Sequence, residues 1–240
     1  MVIQTQMSIP HWTYLVAIER DLAEISRYVE FDDRNLNCFS IELAKILLSA
    51  GAETDVVCKQ VCKVVNSNSS ADDIHQYRNE ITPAYPQIPR LAVLLPRFGL
   101  TLHPWDEWNN TSGVPHWWTG YNKVKHERNS YYDRANLQNA LNAVAGLFVM
   151  VLYLYKEKAE LGELTPRLQL LTVDDEHYGG GRLRRNVFFL EIKSASKLIH
   201  GYLNGSGTGS APISKQSLLR KSGNPQTPNS AVRHGLAASR

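Results

Sequence analysis

Residues 143–155 read AVAGLFVMVLYLY, thirteen residues that leave no polar face at any helical angle. A helix that is apolar on all sides must be enclosed by other helices or by lipid. A membrane-spanning helix needs roughly 18 or more such residues, and Asn139 and Asn142 stand just before this run. The segment therefore predicts the buried central helix of a bundle, set within a longer helix over residues 133–158, and a chain that does not enter a membrane.

The helices that would enclose it lie upstream. Leu15, Ile18, Leu22, Ile25 and Val29 recur at steps of three and four, one apolar stripe on a helix over residues 10–30. A second helix is expected over residues 35–50, ending at Gly51, and a third over residues 53–65, where Asp55 and Lys59 are spaced to pair across one turn. Ser70 with Asp73 resembles a capping box opening a fourth helix through Ile81, stopped by Pro83. From 83 to 118 six prolines exclude a long helix, and LAVLLPRFGLTL is expected to form one or two short strands around Pro96. Four of the five tryptophans, Trp105, Trp108, Trp117 and Trp118, close this excursion. Their expected role is to pack a loop onto the helical body, with a stacking platform for bases as the alternative. A helix over residues 116–129 with a bend near Ser130 then leads into the central helix.

After Thr165, RLQLLTV and RLRRNVFFLEI flank DDEHYGGG, the pattern of a small β-hairpin, and a short helix is expected to run on to Leu203. Residues 204–240 carry five Lys/Arg and no Asp/Glu, with no aromatic residue or apolar period, so a disordered basic tail is expected beyond a folded unit at 1–203. The remaining 21 Lys/Arg face all 23 Asp/Glu in the body, which gives no general basic surface for nucleic acid. The tail could scan RNA electrostatically or be a solvated appendage. The N-terminus lacks a basic segment followed by an apolar one, so a cytoplasmic location is expected. The fold class is accordingly mainly α: a helical bundle with a long buried central helix, a Pro/Trp-rich excursion and a small hairpin.

Chemistry concentrates in residues 117–155. On a continuous helix Tyr121, Asn122, Lys125, His126 and Asn129 share one side, with Lys123 and Arg128 nearby. An imidazole titrating near neutrality moves protons, and neighbouring cations hold a phosphate or stabilise a developing phosphorane, as cleavage of RNA at a 2′-hydroxyl without a metal requires. The alternative is that His126 and Asn122 hydrogen-bond the tryptophan-rich loop while Lys125 and Arg128 are simply solvated. Arg182, Arg184 and Arg185, after three glycines, could contact phosphate, although the glycines match no nucleotide-binding fingerprint and an exposed hairpin tip explains them as well. Cys38, Cys58 and Cys62 lack the partners of a zinc site and are expected as free thiols; no cofactor or metal is indicated.

The run Tyr121-Asn122-Lys123-Val124-Lys125-His126-Glu127-Arg128 leading into a long apolar helix resembles the HEPN superfamily of small helical bundles found in bacterial defence and toxin systems. The likeness covers residues 10–160 loosely. It implies a homodimer, a metal-independent ribonuclease or RNA-engaging protein, and regulation by a cognate antitoxin or similar partner. In that superfamily an arginine precedes the histidine by four to six residues, with a polar residue often following it. Here that window holds no arginine. The resemblance then implies His126 as the acid/base, Asn122 in the polar position, and Lys125 and Arg128 holding phosphate, with Tyr121 and Lys123 beside the substrate. A noncatalytic helical interaction module is the other reading.

Overall fold

The computed structural model describes residues 9–173. Six helices enclose one core: α1 (Pro10–Ile25), α2 (Ile41–Val65), α3 (Ile74–Ala84), α4 (His116–Tyr131), α5 (Leu137–Leu154) and α6 (Lys156–Glu160). A three-stranded antiparallel sheet, β1 (Val93–Leu95), β2 (Leu100–Leu102) and β3 (Thr172–Val173), lies in the order β2-β1-β3.

The all-apolar segment does form the centre. Of the 18 residues in α5, 15 are buried, and the helix packs most extensively on α2 and also against α1 and α4. It is long and apolar enough to cross a membrane, with 83% of its length buried by the surrounding protein. It starts at Leu137 rather than 133 because Asn136, in extended backbone, accepts the Asn139 N–H on its side chain. Main-chain bonds from Leu137 and Gln138 to the carbonyls of Cys38 and Leu36 tie this start to the segment before α2. Tyr155, with φ −108° and ψ 37°, interrupts the helix, so the remaining turn is a separate α6.

Gly51 does not end a helix. The two helices expected on either side of it are one 25-residue α2, capped by Ser40 through the Leu43 N–H. The glycine serves close approach instead: a Cβ there would lie 2.4 Å from the Tyr121 ring of α4. Gly146 plays the same part in α5, where a Cβ would stand 2.7 Å from the Trp117 ring. α3 begins one turn after Ser70, because Asp73 itself accepts the His75 and Gln76 N–H groups, and Pro83 is accommodated in its last turn.

The strands form where the leucine-rich run predicts, as a β1–β2 hairpin bent at Pro96–Phe98. The first arm of the expected C-terminal hairpin pairs with β1, Val93 opposite Val173. Its second arm, the helix toward Leu203 and the basic tail lie outside the described residues. Glu19, buried in the apolar stripe of α1, anchors this returning strand by accepting N–H bonds from Gln169, Leu170 and Leu171 at 2.9, 2.6 and 3.1 Å. The tryptophans pack the excursion onto the bundle. Trp105 is fully buried, its indole N–H donating to the Gly146 carbonyl at 3.1 Å, and Trp117 donates to the Pro104 carbonyl at 2.7 Å. Buried rings leave no platform for stacking bases.

Candidate functional site

The site is built on α4, whose inner face is dictated by Trp117, Trp118, Gly120, Tyr121 and Val124. With the apolar residues turned inward, Lys125, His126 and Arg128 are exposed. No side chain of Pro115 caps the helix; the Glu107 carboxylate of the preceding loop accepts the His116 N–H at 3.0 Å. Burial, then a hydrogen bond with Asp106, raises the Glu107 carboxyl above the ordinary glutamate range. A carboxyl beside the first N–H groups of a helix also suits the helix dipole.

The regular helix ends early. Glu127 has φ −135° and ψ 38°, a kink three residues before the expected bend at Ser130. Residues beyond it leave the angular register of Asn122 and His126, so Arg128 and Asn129 do not continue the expected face. What remains around His126 is a cleft of about 350 Å³. Asn122, Lys123 and Glu127 of α4 line it with His126, over an apolar floor that includes Ile74, Val114 and Trp118. Lys125 and Arg128 do not line it. The Lys125 ammonium instead sits 5.4 Å from the centre of the Tyr121 ring, which is itself buried against Gly51. Tyr121 is thus a packing residue beneath the site. Lys123 pairs with Glu127 at 2.8 Å and lies 4.4 Å from the Tyr131 ring; the bond to Glu127 is the first cause of its raised pKa.

His126 and Asn122 make no hydrogen bond to the tryptophan-rich loop among the described residues. The indole partners are main-chain carbonyls. Of the alternative reading, the hydrogen bonds to that loop are not found, while Lys125 and Arg128 are exposed as it expects; His126 and Asn122 line the cleft. Arg182, Arg184 and Arg185 lie outside the described residues.

Sequence reasoning missed His75 as a member of this site. It stands on the first turn of α3, exposed, and lines the same cleft as His126. Nothing in the sequence links two histidines 51 positions apart; only the packing of α3 and α4 on the same helix, α2, does. Also missed was a larger cavity of about 900 Å³ adjoining the cleft along α4, lined by His103, Asp106, Glu107, His116, Arg134 and Asn139 among others. Thr119 and Lys123 border both cavities. The larger cavity is the more obvious place for a ligand by size. Each cavity carries two exposed imidazoles, His103 and His116 in the larger one and His75 and His126 in the cleft; the cleft is the one that holds the helix motif singled out in the sequence.

A third polar cluster joins α2 to α3. Asp55 accepts from Lys59 at 2.6 Å and from the buried Tyr77 hydroxyl at 2.7 Å, and burial followed by that carboxylate pushes the phenol far up. Cys58 and Cys62 are buried beside it, Cys58 pushed well up and Cys62 up to about 12, both chiefly by burial. No group of three or more His, Cys, Asp or Glu side chains among the described residues is placed to hold a metal ion. No family model matches the chain, and neither a curated protein nor a solved structure matches it.

Proposed function

We propose that this protein engages RNA and cleaves it at a 2′-hydroxyl without a metal ion, in the manner the HEPN-like helical motif implies. His126 transfers the proton, while Asn122 and Lys123 position the phosphate. The observation that carries the reading is the presentation of an exposed imidazole in a cleft beside an amide and an ammonium. All three stand on a helix whose opposite face is locked into the core. A rigid support of this kind keeps a proton donor or acceptor within reach of a bound phosphodiester. Lys125 and Arg128, exposed at the rim, add positive charge along the path of a strand. A homodimer and a regulatory protein partner belong to the same reading.

A second reading, a noncatalytic interaction module, draws on one observation: the two cations stand outside the cleft, Lys125 over the Tyr121 ring and Arg128 beyond the kink at Glu127.

The experiment is incubation of the full-length protein with mixed RNA in EDTA beside a His126→Ala variant, with both folds checked by circular dichroism. Cleavage lost in the variant is the expected result. Equal inactivity of two folded proteins overturns the ribonuclease reading in favour of the module.

A further inference from the structure

Opening a phosphodiester by its neighbouring 2′-hydroxyl needs two proton movements, one off the attacking oxygen and one onto the leaving 5′-oxygen. A single side chain that has just taken the first proton is poorly placed to deliver the second to the opposite side of phosphorus, so a second acid/base group accelerates the step. The cleft contains one.

His75 is fixed at its backbone by the α3 cap. The Asp73 carboxylate accepts the His75 N–H at 2.8 Å and the Gln76 N–H at 3.0 Å, and takes a third bond from the Gln76 side-chain amide at 2.7 Å. From that anchored turn the imidazole lines the same cleft as His126, with Asn122 and Lys123 on the α4 wall and Trp118 on the floor. The charged groups around the two rings differ. Asp72 and Asp73 stand at the start of α3 beside His75. Lys123, paired with Glu127, lines the His126 side.

We infer that His75 and His126 act as an acid/base pair on one RNA phosphodiester, His126, on the wall that carries Asn122 and Lys123, as base and His75, facing it from α3, as acid; the inference rests on the ribonuclease reading. A ring nitrogen of His126 takes the proton of the 2′-hydroxyl as that oxygen forms its bond to phosphorus. The bond from phosphorus to the 5′-oxygen breaks, and that oxygen receives the proton of the His75 imidazolium. The products are a 2′,3′-cyclic phosphate and a free 5′-hydroxyl, with the two imidazoles left in exchanged protonation states and no change of oxidation state.

The test uses the full-length protein with adenosine 3′-monophosphate as probe, following the imidazole C–H proton signals by NMR from about pH 5 to 8, where histidine titrates. Signals of His75 and His126 are assigned among the eight histidines by His75→Gln and His126→Gln. Both signals are expected to move together on adding nucleotide. His75→Gln, shown folded by its thermal transition, is expected to slow RNA cleavage by about 100-fold and to lose the alkaline limb of the kcat/KM profile. Movement of the His126 signal alone, with His75→Gln as fast as the parent and both limbs kept, overturns the pair and leaves the ribonuclease reading standing. Movement of neither signal, with no cleavage by the parent protein, overturns both.

Discussion

Replacing glycine by alanine inside a helix ordinarily stabilises by about 1 kcal/mol, because alanine loses less backbone entropy. At Gly51 the structure reverses that sign. The added Cβ would lie 2.4 Å from Cδ2 and 2.5 Å from Cγ of Tyr121. Ordinary contact begins near 3.4 Å, so ring or helix must retreat by about 1 Å. The ring has nowhere to go: it is 3% exposed and lies 5.4 Å, centre to centre, from Trp118, itself 7% exposed. Overpacking of a well-filled core costs about 1–3 kcal/mol, and a displacement this large between two helices belongs at the upper end. After the alanine gain, Gly51→Ala should destabilise by about 2 kcal/mol, lowering the thermal midpoint by about 4–8 °C. Urea unfolding gives the free energy directly, since a change of midpoint at constant slope reports stability. The decisive comparison is the same substitution in a Tyr121→Ala background. With the obstruction gone, Gly51→Ala should there be neutral or stabilising by up to about 1 kcal/mol. A Gly51→Ala variant as stable as the parent, or an equal loss in both backgrounds, would refute the account of why glycine stands there.

The buried polar groups supply the other tests. Glu19→Gln turns one of two fully employed acceptor oxygens into a donor facing main-chain N–H groups, and should cost about 2–3 kcal/mol; hydrogen exchange at Gln169–Leu171 should rise before that of α5, and unchanged protection there would sink the anchoring role. Cys58 and Cys62 keep their protons in the folded protein at pH values where an unfolded thiol ionises, which begins near pH 9. Their contribution is therefore nil below that pH, and stability falls above it by about 1.4 kcal/mol per pH unit per thiol. Iodoacetamide at mildly alkaline pH should label Cys38 first, and rapid labelling of Cys58 in the folded protein would contradict its burial.

The sequence by itself determined the class of fold. A thirteen-residue segment without a polar side must be enclosed, and the period of Leu15, Ile18, Leu22 and Ile25 supplies a helical face to enclose it. The Asp55–Lys59 pair and the strands around Pro96 were legible because each depends on neighbours a few residues away, and the inward packing of the tryptophans because rings so large and apolar are buried whichever residues they meet. Gly51 misled because a glycine that ends a helix and one that admits another helix look identical in one dimension. Glu19 was invisible because its partners are 150 residues downstream, and a carboxylate in an apolar stripe declares nothing until the returning strand brings its N–H groups. At the candidate site, local spacing supplied His126, Asn122 and Lys123. Tertiary packing alone decided that Tyr121 lies beneath them, that the kink at Glu127 takes Arg128 out of register, and that His75 enters the same cleft. Helical periodicity carries information only as far as the helix runs unbroken, and contact between helices is set by the shapes of the faces that meet.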